Sequence, residues 1–190
     1  MRQLHLDIVF DFFRALQVDA KIINIAKHQF KFFSLDALQV LLRQGEQQKY
    51  GFLILSGILR SCHYTDKGEA RSKEYYFEGE LSFLYSSWLT NSLANYQIEV
   101  LKNAEVIRIP LSLLNVKGWQ SAKIELLQQQ LLYKEAKEAF LLLNNPEERY
   151  LHLIQHFPNW VTSLNDAQLS SYIGISPISF SRIKRRLAKN

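Results

Sequence analysis

Only one cysteine, Cys62, occurs in the 190 residues, so no internal disulfide can form and no thiolate set exists for structural zinc or an iron–sulfur cluster. Proline numbers four and glycine seven, too few for long disordered or fibrous stretches. No apolar run approaches the length that spans a bilayer. The opening residues, MRQLHLDIVFDFF, are interrupted by Asp7 and Asp11 and carry no small-residue cleavage signature, so a cytoplasmic protein is expected. Acidic residues are missing from the last nine positions, which hold five Lys/Arg. Residues 144–190 carry six Lys/Arg against three Asp/Glu and so hold +3 of the overall +5, which points to an anionic partner docking at this end. An apolar fraction of 47% is that of an ordinary globular chain.

The basic end is also the most strongly patterned. Asn165 followed three residues later by Gln168 is a capping box. Leu169, Tyr172 and Ile173 keep helical spacing, and Gly174 supplies the residue at ease with the left-handed conformation that ends a helix. Ser176-Pro177 restarts a helix as N-cap and first position, and Phe180, Ile183 and Leu187 give it one buried stripe. Small Ser170 lets the two helices approach. Two short helices hinged at Gly174 form a helix-turn-helix. Ser176 and Ser179 are placed to reach phosphates, Ile178, Ser181 and Arg182 to meet base edges, and Arg185 and Arg186 to add groove or backbone charge. The bland alternative is a basic terminal helix that only keeps the surface soluble.

Residues 1 to about 40 read as short helices. From Leu41 the pattern changes to short apolar runs, Phe52–Leu55, Ile58–Tyr64, Glu74–Phe77, Tyr96–Leu101 and Glu105–Ile109, with turn residues at Ser56-Gly57, at Thr65-Asp66-Lys67-Gly68 and at Glu78-Gly79-Glu80. Such runs imply a small antiparallel barrel or sandwich. Beyond Pro110, residues 111–143 contain no proline and a single glycine, and Ile124, Leu127, Leu131, Tyr133, Ala136, Phe140 and Leu143 keep helical spacing. A helix this long, apolar on more than one face, has two surfaces to cover, its own barrel and a second copy; a monomer with one long packing helix is the alternative. Asn145, Pro146 and Glu148 then cap a new helix, with Leu151, Ile154 and Phe157 inward, and residues 159–164 leave room for a turn or a minimal wing. The expected division is 1–110, 111–143 and 144–190.

This order of parts resembles the cyclic-AMP receptor/Fnr (Crp/Fnr) superfamily of bacterial transcription regulators. The residues carrying the resemblance are Leu42–Glu46, Tyr50–Arg60 with its Leu55-Ser56-Gly57 turn, Phe77–Leu81, and Leu169 through Leu187. It implies an α+β fold: an N-terminal antiparallel β-roll (a double-stranded β-helix, cyclic-nucleotide-binding-like), a long dimerisation helix and a C-terminal winged helix-turn-helix. It also implies a homodimer on a pseudo-palindromic double-stranded DNA site, with RNA polymerase and an unidentified small-molecule effector as further candidate partners. In the family's cyclic-nucleotide binders a Gly-Glu-Leu turn is followed by an Arg and a small hydroxyl residue that hold the cyclic phosphate. Here Gly79-Glu80-Leu81 stands, but Ala94-Asn95 occupy the Arg and Ser/Thr positions, so binding of cyclic AMP in the family's manner is not expected. Glu80 reads better as a turn-stabilising carboxylate. Tyr75, Tyr76, Phe77, Phe83, Tyr85 and Trp88 could line an apolar cavity for another ligand or be plain core.

The other constellations are weak. His152 and His156 share a helix face but lack a third ligand, and His5, His28 and His63 are scattered, none marked as a haem ligand. Cys62 and His63 are strand neighbours and so face opposite ways. No glycine-rich phosphate loop follows a strand. No cofactor, metal or catalysis is expected; the alternative to a regulator is a ligand-sensing β-roll module with little or no DNA-binding role.

Overall fold

The computed structural model describes residues 3–66, 68 and 70–188; Lys67 of the expected turn and Lys189 of the basic run lie outside these. The chain packs as two compact units, Met1–Gln129 and Gln130–Asn190.

The first unit opens with α1 (Gln3–Ala15), which turns His5, Val9 and Phe13 inward at fourfold spacing. The second helix, α2 (Ala20–Ala26), is capped by Asp19, whose carboxylate accepts the Lys21 N–H at 2.7 Å. The helical reading of residues up to about 40 holds only this far. A short 3₁₀ turn leads into β1 (Lys31–Leu35) and β2 (Val40–Leu42), and both pair with β6 (Gln97–Pro110). Phe32 opposes Ile107 and Phe33 opposes Val106, so partners more than seventy residues away override the local pattern.

Between these lie β3 (Tyr50–Tyr64), β4 (Ala70–Tyr76), β5 (Leu81–Ser82) and α3 (Tyr85–Thr90). All pairings are antiparallel, in the order β1-β6-β3-β4, with β2 on β6 and β5 on β3. The turn expected at Ser56-Gly57 is instead a kink inside β3, where the register against β6 shifts. Gly57 sits at φ +85°, and a Cβ there would overlap Asn103 O and Ala104 of β6. Only glycine lets the two long strands bend together at this point.

Alternation along the strands sorts two cores. Leu53 and Ile107 join Phe13, Phe83 and Trp119 beneath the helices, while Ile54 and Val106 join Leu59, Ile98 and Val100 inside the roll. Each such side chain contributes roughly 1.5–3 kcal/mol when fully buried. The helix expected from residue 111 begins later. Residues Leu111–Asn115 and Lys117–Trp119 form 3₁₀ turns that bury Leu111, Leu113, Leu114 and Trp119, and α4 follows at Gln120–Leu143.

The second unit contains the later part of α4, then α5 (Pro146–His156), α6 (Pro158–Ser163), α7 (Asp166–Tyr172) and α8 (Pro177–Leu187). The segment with room for a turn or a minimal wing is the helix α6, and no β-strand occurs in this unit among the described residues. The inward face of α5 is also shifted. Tyr150 and Leu153 are buried, whereas Leu151, Ile154 and Phe157 are 44%, 43% and 37% exposed. The edge-to-face contact of Tyr150 with Phe180, centroids 4.7 Å apart, sets that phase. No helix among the described residues is long and apolar enough to cross a membrane.

Candidate nucleic-acid interface

The capping box at Asn165 forms as expected: Asn165 Oδ1 accepts the Gln168 N–H, and Gln168 Oε1 accepts the Asn165 N–H, both at 2.9 Å. It starts α7, which buries Leu169, Ser170 and Tyr172. Gly174 then takes φ +75°, and the Ile175 N–H returns to Ser170 O at 3.0 Å. Ser176 caps α8, its hydroxyl accepting the Ser179 N–H at 3.1 Å, with Pro177 at the first position. Of the expected stripe, Phe180 is fully buried and Ile183 buried, while Leu187 is only half-buried.

Opposite that stripe, Ile178, Arg182 and Arg185 follow one another at helical spacing on the exposed face, with Ser181 half-buried beside them. The Arg185 guanidinium donates to Ser181 Oγ at 3.2 Å. Ser176 and Ser179 hydroxyls stand 3.0 Å apart at the exposed helix N-terminus. Arg186 is set at the edge, where its guanidinium pairs with Glu147 in the first turn of α5. Lys184 is held at 2.7 Å by Asp166, and this bond raises its pKa above the ordinary lysine value. Arg182 has no hydrogen-bonded or ionic partner among the described residues. It is the uncommitted cation in the middle of the face.

Sequence reading missed Arg149. Its guanidinium donates to Asn144 O at 2.9 Å, to Ile173 O at 2.8 Å and to Leu141 O at 2.6 Å. One side chain thereby caps the carbonyl ends of both α4 and α7, beside the Gly174 hinge. An isolated Arg after a capping box carries no local signal of this. Nothing local marks Glu147 or Asp166 as a partner of α8 either.

In the β-roll, Gly79 sits at φ +83° and its N–H donates to Ile54 O at 2.9 Å. The Glu80 carboxylate accepts the Phe77 N–H at 2.8 Å, closing the turn as expected, and Leu81 pairs with Leu53. Ala94 is buried, with its N–H on Glu46 O and its carbonyl on the Gly45 N–H; Asn95 is exposed. Tyr75 and Phe83 are core, and Tyr85 and Trp88 pack on the core from α3. A bulge in β4 between Ser72 and Glu74 turns Lys73 onto Tyr96, 3.1 Å from its hydroxyl and 4.2 Å from its ring centroid. Burial raises the Tyr76, Tyr85 and Tyr96 phenols, and a neighbouring carboxylate adds to it.

Arg60 is bound by Glu99, whose carboxylate also accepts from Tyr64 and Gln97. Burial pushes the Cys62 thiol up to about 11, so it stays protonated and unreactive at neutral pH. The His152 and His156 rings lie 4.3 Å apart, and no group of His, Cys, Asp or Glu able to hold a metal occurs among the described residues.

A helix-flanked antiparallel β-roll followed by a long helix and a helix-turn-helix defines the fold of the Crp/Fnr regulators. The chain is similar to FixK2 of Bradyrhizobium japonicum, with a TM-score of 0.71 at 16% identity over 84% of this chain and 85% of that one. It is similar also to the c-di-GMP responsive global regulator CLP of Xanthomonas campestris, with a TM-score of 0.66 at 15% identity over 90% of this chain and 92% of that one. A CRP/FNR-family transcriptional regulator of Thermus thermophilus gives 0.65 at 15% identity, over 84% and 86%. No family model matches the chain, and no curated protein matches it in sequence.

Proposed function

We propose that this chain is a cytoplasmic DNA-binding transcriptional regulator of the Crp/Fnr type, acting as a homodimer on a pseudo-palindromic site. The observation that carries this reading is α8 itself. Its inner side is locked by Phe180 and Ile183, while Ile178, Ser181, Arg182 and Arg185 share the outer side of a helix that contains no acid. Residues 1–110 then serve as the sensing-type roll, 111–143 as the dimerisation segment and 144–190 as the DNA-binding part. Ile124, Leu131, Leu132, Leu142 and Leu143 are large apolar side chains left exposed on α4, in keeping with a partner helix. RNA polymerase and a small effector remain the further partners of this reading.

The test is selection from randomised duplexes, followed by fluorescence anisotropy at increasing salt. Binding to the selected site is expected to fall steeply with salt. Arg182→Ala should weaken that site by about 1–3 kcal/mol and blur its discrimination from random DNA. Discrimination equal to wild type would remove Arg182 from base reading. Ser176 and Ser179 are assigned to phosphate contact at the helix N-terminus, and Arg186, shared with Glu147, to the edge of the groove.

The roll is proposed not to take cyclic AMP. Ala94 and Asn95 offer no cation, Arg60 is already bound by Glu99, and Lys73 is held on Tyr96. Isothermal titration with cyclic AMP is expected to give no saturable heat; tight binding would overturn this part.

A further inference from the structure

The first unit carries a crevice of about 730 Å³, within the roughly 300–1,000 Å³ that takes a small-molecule ligand. Its walls are the entry to β3, the helix α3, the 3₁₀ turn that follows β6, and Lys123 near the start of α4. The Gly79-Glu80-Leu81 turn and Ala94-Asn95 do not line it. Hydrogen bonds join one wall to the next. Gln48 binds the backbone of Leu84 in both directions, accepting its N–H at 2.7 Å and donating to its carbonyl at 3.0 Å. The Leu111 N–H donates to Lys49 O at 3.0 Å, and Gln47 Nε2 donates to Asn91 Oδ1 at 3.2 Å. The crevice is thus formed before any ligand arrives, which lowers the ordering cost of binding.

The lining holds two lysines, Lys49 and Lys123, and no Asp or Glu. The Lys123 ammonium donates only to the neutral Asn115 Oδ1, at 3.4 Å, and the Lys49 ammonium has no hydrogen-bonded or ionic partner among the described residues. Five carboxamides, those of Gln29, Gln47, Gln48, Asn91 and Asn115, stand in the same lining. The Gln47–Asn91 pair keeps one carbonyl and one amino group uncommitted, and the side chains of Gln29 and Ser112 have no partner among the described residues. Carboxamides both donate and accept, as sugar hydroxyls do. The two rings of the lining already carry a cation over a face, Trp88 that of Lys123 at 5.3 Å and Tyr50 that of Arg108 at 4.2 Å. Hydrogen-bonding groups rather than bare rings therefore meet the ligand. Two ammoniums facing no acid, beside a set of amides, suit a phosphate ester that also bears several hydroxyls.

We infer that this crevice is a binding site for a sugar phosphate, its phosphate on Lys49 and Lys123 and its hydroxyls on Gln29, Gln47, Asn91 and Ser112. The binding stands on the crevice alone, whether or not α8 reads DNA.

The experiment titrates the full chain calorimetrically, without DNA, with glucose 6-phosphate, fructose 6-phosphate and ribose 5-phosphate. Glucose, inorganic phosphate and adenosine monophosphate serve as comparisons. At least one sugar phosphate is expected to bind saturably, and glucose and inorganic phosphate about tenfold or more weakly, because each forfeits one end of the site. Lys49→Met and Lys123→Met should each weaken that sugar phosphate about tenfold. Lys21→Met, at an exposed position of α2 outside the crevice, should bind as wild type does. Circular dichroism checks folding, and Lys49, being exposed, keeps the test decisive should Lys123→Met fail to fold. No saturable binding by any of the three sugar phosphates would overturn the site. So would glucose or inorganic phosphate binding as tightly, Lys49→Met binding as wild type does, or an equal loss in Lys21→Met. Adenosine monophosphate binding more tightly than all three would overturn the assignment to a sugar phosphate.

Discussion

Arg149→Ala is expected to lower the stability of the second unit by about 2–4 kcal/mol, measured by denaturant unfolding followed by circular dichroism. The substitution leaves Leu141 O, Asn144 O and Ile173 O without their donor at two helix C-termini, where a cation is also favoured by the helix dipole. Arg149→Lys should recover little, because one ammonium cannot reach three oxygens that a planar fork spans together. Duplex binding should fall with both variants even where folding is retained, since Ile173 precedes the Gly174 hinge that aims α8. A lysine variant indistinguishable from wild type in stability and binding would show that charge, not the fork, is what matters.

The other large effect is expected at the kink in β3. Gly57→Ala should cost the first unit about 3 kcal/mol or more, seen as a large drop in melting temperature or loss of soluble protein. Two penalties combine there: a non-glycine residue at φ +85°, and a methyl group driven into the backbone of β6 at Asn103 and Ala104. Gly79→Ala separates them. Gly79 has φ +83° but nothing within 4 Å of a Cβ, so only the conformational penalty applies, roughly 1–2 kcal/mol. Equal losses at the two glycines would mean that the strands can part at Gly57 without cost.

These two residues also mark what the sequence made legible. Local grammar was readable: the caps at Asn145, Asn165 and Ser176, the left-handed Gly174 and the Phe180–Ile183 stripe all lie where spacing put them. Each depends on neighbours within four residues. Gly57 was readable as a glycine needing special backbone, but not as a kink, because its reason lies across the sheet at Asn103. The same distance hid β1, which is a strand on account of β6. On α8 the cationic face was legible. The division of labour on it was not, because Glu147 and Asp166 claim Arg186 and Lys184 from elements far back in the chain. The inward phase of α5 turned on one ring contact, Tyr150 with Phe180, which periodicity cannot weigh against Leu151 and Ile154.

All three acceptors of the Arg149 fork are main-chain oxygens. Every amino acid carries that oxygen, so mutations at 141, 144 and 173 can alter bulk and polarity while leaving the acceptors in place. Sequence drift at those sites therefore leaves the clasp closed, whereas the lost guanidinium has no second-site reversion among them. The hinge of the helix-turn-helix is mutationally tolerant on one side and rests on a single codon on the other.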